Sequence, residues 1–200
     1  MKRIILLFFV LATLTSFAQF SVLEIGAKLP QSEKMQSTSS DKMINLESLV
    51  KENGLLVIFS CNTCPFVVQW EDRYPLLDEI AKTNKVGFVL INSNYMKREG
   101  DDSFEAMKKH AEVHKYQWPY LVDKESKLAN AFGAQTTPHV FLFDKNMKLV
   151  YKGAIDDNYK DASAVEEFYL KEALESLGKG EEIKNKETRN LGCSIKRKTT

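Results

Sequence analysis

Residues 55–59, Leu-Leu-Val-Ile-Phe, are apolar without interruption and end in β-branched and aromatic side chains. A short run with no polar alternation is the pattern of a strand covered on both faces. Directly after it, Phe66, Val67, Trp70, Tyr74 and Leu77 recur at three- and four-residue spacing, which predicts an amphipathic helix over 64–82. Pro65 falls in its first turn, where a missing N–H costs nothing. A second apolar run, 86–92, ends on the polar Asn92-Ser93-Asn94 and predicts a second buried strand. Phe104, Met107, Ala111 and His114 mark a helix between 100 and 115, with Asp101, Asp102 and Ser103 supplying its cap and first-turn acids.

Shorter signals fill the rest. Residues 35–45 predict a β-hairpin at a sheet edge, and Asn45 caps a short helix through Val50. Residues 120–122 predict a strand, 125–132 a helix closed by Gly133, and 140–143 with 149–152 a hairpin around Asp144-Lys145-Asn146. A last helix spans 162–177 and is stopped by Gly178-Lys179-Gly180. Strands and helices in this order predict an α/β fold, a mixed central sheet covered by helices.

Composition narrows the function. The 200 residues carry 28 basic and 27 acidic side chains, a net charge of +1, which argues against nucleic acid or a polybasic membrane contact as partner. Residues 1–18 have the form of a secretory signal: Lys2 and Arg3, an apolar core over 4–14, and Ser16-Phe17-Ala18 as a small-x-small cleavage site. That core is shorter than the about 20 residues that span a bilayer, and no later segment qualifies. The expected organisation is a signal peptide over 1–18, one domain over 19–180 and a charged extension over 181–200 carrying Cys193, in an exported, periplasmic protein.

The chemistry sits where the first strand hands over to its helix, at Cys61-Asn62-Thr63-Cys64-Pro65. A helix N-terminus favours an anion, and cysteines there have lowered pKa values. Cys61 is expected at that cap as the attacking thiolate, and Cys64, one turn on, as the thiol that resolves the mixed disulfide. A C-x-x-C is also half of a zinc site, or a plain structural disulfide. A closed zinc site needs four ligands, and only Cys193 and three histidines remain, none at a second knuckle spacing, so no metal is expected. His110 and His114 lie one helical turn apart among Lys108, Lys109, Glu112 and Lys115; with no third ligand in view they read as a solvated helix face. Trp70, Tyr74 and Trp118 read as core and rim packing.

With these elements placed, the chain resembles the thioredoxin-like redoxins of the alkyl hydroperoxide reductase and thiol-specific antioxidant superfamily. More narrowly, it looks like an exported bacterial subgroup with a C-x-x-C-P active site and a C-terminal G-C-S-I-K. The resembling pieces are Cys61 to Phe66, Ile91-Asn92-Ser93-Asn94, Pro119 to Asp123, Phe132-Gly133-Ala134 with Thr136-Thr137-Pro138, Tyr151 to Asp157, and Gly192-Cys193-Ser194-Ile195-Lys196. The resemblance implies a thioredoxin-like fold with an N-terminal hairpin and a redoxin-type strand-helix insertion. It also implies a cis Thr137–Pro138 peptide opposite the sulfurs, its backbone pairing with an extended substrate segment; a proline merely starting an edge strand is the alternative.

The activity this implies is thiol-disulfide exchange by the Cys61/Cys64 pair, without cofactor, on a disulfide-bearing protein or small thiol, with an electron-donor thiol protein as second partner. The rivals are a thiol peroxidase and a Cu(I)-binding assembly factor. Two features depart from the pattern. Residues 55–59 lack the buried acid thioredoxin keeps before its cysteines, and the position three before Cys61 is Ile58, where peroxide-reducing relatives carry threonine. Candidate proton relays are His139, whose imidazolium would favour a thiolate, and Asp156 and Asp157, which a simple turn also explains. Cys193, the odd thiol, is either an inert packed cysteine or a third redox thiol brought over the active-site face by a mobile lead over 181–189.

Overall fold

The computed structural model describes residues 20–198; the signal segment read over 1–18 lies outside them. Strands β1 (Met35–Ser37) and β2 (Ser40–Ile44) form the edge hairpin. The buried runs become β3 (Gly54–Ser60) and β4 (Val86–Asn92), every residue of both covered. With β5 (Tyr120–Val122), β7 (His139–Asp144) and β8 (Leu149–Gly153) they make a seven-stranded sheet in the order β2-β1-β5-β4-β3-β7-β8. β3–β4 and β4–β5 run parallel and the other pairs antiparallel. The fold is a thioredoxin-like α/β fold with a mixed central sheet.

The period of two sorts β3 between two cores. Leu56 and Ile58 face Trp70, Tyr74, Leu77, Leu170 and Leu174 on one side; Leu55, Val57 and Phe59 face Leu128, Phe132, Phe141 and Phe143 on the other. Residues 55–59 have no exposed surface, and each buried side chain contributes about 2 kcal/mol. Helices α1 (Pro65–Trp70), α2 (Tyr74–Thr83), α3 (Phe104–Val113) and α5 (Tyr169–Lys179) serve the first core, and α4 (Lys127–Phe132) the second.

Three expectations are corrected. The helix over 64–82 is broken: a 3-10 turn at Glu71–Arg73 separates α1 from α2. Pro75, in the first turn of α2, offers no N–H and its ring excludes the carbonyl four residues back, at Glu71. The last helix begins at Tyr169, not 162. Ala162–Ala164 is a 3-10 turn, and the segment between is held by bonds from Glu166 N–H to Asp157 Oδ1 (3.1 Å) and from Leu170 N–H to the Ile155 carbonyl (3.1 Å).

Finally, 181–189 is no free lead. Lys152 N–H donates to the Lys186 carbonyl and Thr188 N–H to the Lys152 carbonyl, both at 3.0 Å, so this stretch lies along β8. It delivers β9 (Cys193–Ser194) to β6 (Thr136–Thr137) as a separate two-stranded sheet. Among the described residues no helix is long and apolar enough to cross a membrane.

Candidate active site

β3 ends at Ser60 and α1 begins at Pro65, so the turn between them carries both cysteines. Cys61 is 2% and Cys64 5% exposed. The helix cap expected for Cys61 belongs to Cys64, whose extended backbone precedes the proline that starts α1. The acidity argued from that cap therefore moves three residues on.

Both sulfurs meet the loop before Pro138. The Thr137–Pro138 peptide is cis. Cys61 Sγ lies 3.3 Å from Thr137 Oγ1, and the Cys64 thiol donates to the Thr137 carbonyl at 3.1 Å. That bond belongs to the fully reduced pair. In the singly ionised pair, the Cys61 thiol, the Cys193 thiol and the Val67 N–H at the start of α1 hold the charge on Cys64 and bring it down to about 4. Cys61 is pushed well up because it donates its proton to Cys64, is buried, and feels the negative Asp102.

The Thr137 edge is already occupied. Thr137 pairs with Cys193 and Thr136 with Ser194, and Ile195 N–H continues the ladder to the Gln135 carbonyl at 3.0 Å. The strand position given to an extended substrate is filled by the chain's own C-terminal segment. Gly192 permits this approach: a Cβ there would meet the Thr137 carbonyl oxygen at 2.4 Å. Cys193 is half-buried, packs on the cluster of Cys61, Cys64 and Val67, and its thiol is pushed up to about 11 by burial and by the neighbouring Cys64.

The other predicted relays do not join the sulfurs. His139, 2% exposed, packs at a tilt against Phe141, ring centroids 4.5 Å apart, and accepts the Gln135 N–H at Nδ1 (3.2 Å). Burial, with Lys152 and Arg197 nearby, pushes it down to about 3, so it is neutral and supplies no cation for a thiolate. Asp156 accepts from Trp70 Nε1 (2.6 Å) and pairs with Arg73 (3.4 Å); Asp157 bonds the Glu166 N–H. Neither carboxylate is hydrogen-bonded to a thiol. Trp70, Tyr74 and Trp118 are core residues.

Asp102 was missed. Read as a first-turn acid, it is fully buried, and Ser103 does the capping, its Oγ accepting the Ala106 N–H at 3.2 Å. Asp102 Oδ1 accepts from the Asn62 N–H (3.0 Å) and Asn92 Nδ2 (2.7 Å), and Oδ2 from Asn94 Nδ2 (2.9 Å). Tyr120 closes the net, donating to Asn62 Oδ1 at 2.9 Å. The turn between the cysteines thus hangs on a buried carboxylate supplied by α3's leader instead of by β3. The signal available was Asn92-Ser93-Asn94, three polar residues ending a buried strand, whose amides need partners.

A family model, Redoxin, matches residues 24–168. The chain belongs to the Redoxin family. Among solved structures, this redoxin is similar to an uncharacterised conserved protein of Geobacillus kaustophilus, with 32% identity over 88% of this chain and 94% of that one, and a TM-score of 0.82. The fold is shared with the thioredoxin domain of a thiol-disulfide oxidoreductase of Bacteroides vulgatus (17% identity, 66% of this chain, 89% of that one, TM-score 0.56). It is also shared with a peroxidoxin of Mycobacterium tuberculosis (14% identity, 79% and 97%, TM-score 0.60). Among curated proteins nothing matches.

Proposed function

We propose that this redoxin is an exported thiol-disulfide oxidoreductase in which Cys61 and Cys64 exchange electrons with protein or small-molecule disulfides, and in which Cys193 is a third redox thiol. The observation carrying the proposal is the convergence of all three thiols on Thr137: two sulfurs within 3.3 Å of its side chain or carbonyl and the third on the strand paired with its backbone.

The cap position and lowered pKa make Cys64 the attacking thiolate, reversing the order expected from the sequence. Cys64 sulfur bonds to one sulfur of the substrate disulfide, and the other leaves as thiolate. Cys61 then attacks the Cys64 sulfur, its proton going to a departing thiolate. The substrate is reduced by two electrons and the pair oxidised to a disulfide, which an electron-donor dithiol protein reduces again. Cys193 stands in the place of a client cysteine, presented on an antiparallel strand: when the pair is oxidised, the Cys193 sulfur bonds to Cys64, the Cys61–Cys64 bond breaks and Cys61 leaves as thiolate.

Two rivals fare worse. Neither cysteine has a threonine three residues before it, which weighs against peroxide reduction. The triad of ligand atoms within 4.8 Å of one another among the described residues is not the three sulfurs, which weighs against a ready-made Cu(I) site.

Insulin-disulfide reduction by the wild type, with mixed disulfides trapped by Cys61→Ser and not by Cys64→Ser, is the expected result. Trapping by Cys64→Ser alone would restore Cys61 as the attacker, and peroxide turnover without insulin reduction would sink the proposal. Peptide mapping of the oxidised chain should find Cys193 linked to Cys64; a free Cys193 across a series of redox buffers, with unchanged turnover in Cys193→Ala, removes it from the cycle.

A further inference from the structure

Of the histidines read as a solvated helix face, His114 is exposed and His110 half-buried, but both imidazoles meet a buried carboxylate. His110 Nε2 lies 2.6 Å from Glu71 Oε1, and His114 Nδ1 lies 3.2 Å from Glu71 Oε2. The imidazoles stack with centroids 4.2 Å apart, as an i, i+4 pair on one helix face does. The third group is Glu71, which the break between α1 and α2 turns towards α3. All three ligand atoms lie within 4.8 Å of one another.

Glu71 is 6% exposed, and among the described residues it pairs with no lysine or arginine; its partners are the two imidazoles and the Tyr116 hydroxyl, which donates to Oε1. A buried carboxylate is expensive unless positive charge and hydrogen bonds meet it. Two imidazole nitrogens aimed at one buried carboxylate are also the arrangement that closes around a divalent cation.

We infer that Glu71, His110 and His114 form a zinc-class metal site, separate from the thiols, that clamps α3 to the α1–α2 junction. Two imidazole nitrogens and one carboxylate oxygen are a zinc donor set that leaves a fourth position for water or the Tyr116 hydroxyl. Zinc sits about 2.0–2.2 Å from such atoms, so the carboxylate must draw back from His110 by less than about 1 Å. His114, 39% exposed at its side chain, opens the site to solvent and gives the ion its way in.

The thiols must not compete in the test. The full chain carrying Cys61→Ser, Cys64→Ser and Cys193→Ser, freed of metal by a chelator, is titrated with Zn²⁺ by calorimetry and with Co²⁺ by visible absorption. One equivalent should bind, raise the Tm, and give a Co²⁺ spectrum without sulfur charge-transfer bands. His114→Ala, at an exposed position, should weaken binding at least about tenfold. Absence of saturable binding, or binding unchanged by His114→Ala and His110→Ala, overturns the site. Should the triple serine variant not fold, the wild type and His114→Ala are compared directly: a loss of one equivalent supports the site, and equal stoichiometry and affinity refute it.

Discussion

Helix α1 is six residues long, about 9 Å, and it separates two clusters that solve the buried-charge problem in opposite ways. At its N-terminus, Cys64 is surrounded by neutral donors: two thiols and a helix N–H. In the proposed exchange they stabilise a negative charge that comes and goes with the redox state. Past its C-terminus, Glu71 is a buried carboxyl group held between two imidazole nitrogens, a donor set suited to a metal. The first arrangement suits exchange, because its donors are neutral and hold a charge without forming an ion pair that must be broken. The second suits a clamp.

The sharpest way to break this contrast is to empty the thiol end. Cys61→Ser and Cys64→Ser should each reduce insulin-disulfide turnover to background while leaving Zn²⁺ affinity at Glu71 unchanged; coupled loss of both would make the two clusters one site. In the wild type, alkylation of Cys64 should stay fast from neutral pH downward and halve near pH 4, because its thiolate is lost as pH falls through its folded value. A midpoint near the ordinary thiol value of about 8.5 would remove the basis for Cys64 as attacker.

The third histidine sharpens the contrast from another side. His139 is held neutral, with a folded pKa of about 3 against about 6.5 when unfolded. Between those values the unfolded chain binds more protons, so this group's contribution is complete above about pH 6.5 and lost as pH falls towards 3. His139→Asn, whose side-chain oxygen replaces the Nδ1 acceptor, should flatten that acid limb by on the order of a few kcal/mol in urea unfolding. An unchanged pH profile would show the imidazole is not a buried neutral group.

Smaller effects test the frame around the thiols. Asp102→Asn should cost about 1–3 kcal/mol, because an amide cannot accept from all three of its present donors. It should also lower the Cys61 pKa, since the charge that raises it is gone; labelling of Cys61 would then begin at lower pH. Gly192→Ala should cost about 1 kcal/mol, read in thermal unfolding, and make Cys193 more reactive to maleimide by lifting β9 from Thr137. Unchanged Cys193 reactivity would show that β9 is not held by that contact.

How much of this was legible in the chain follows from the range of each signal. β3, β4, the edge hairpin and the C-x-x-C turn are local: uninterrupted apolar runs and a strand-to-helix junction need no distant partner to be recognised. Pro75 was equally local, and its effect on the helix over 64–82 was readable from the ring's demand on the carbonyl of Glu71. Asp102 was not. Its role depends on amides ten and forty residues away, and in sequence it is indistinguishable from any acid before a helix.

The same holds for Glu71 and the histidines, thirty-nine residues apart or more, and for Cys193 beside Thr137. The sequence by itself determined the sheet, the two cores and the position of the sulfur pair, because hydrophobic period and turn chemistry act over a few residues. Only the tertiary structure decided which cysteine caps the helix, what pairs with the Thr137 edge, and where the unmatched polar groups find one another. Buried hydrogen bonds and charges are settled by whichever partner the packed chain brings within about 3 Å, and sequence separation does not encode that distance.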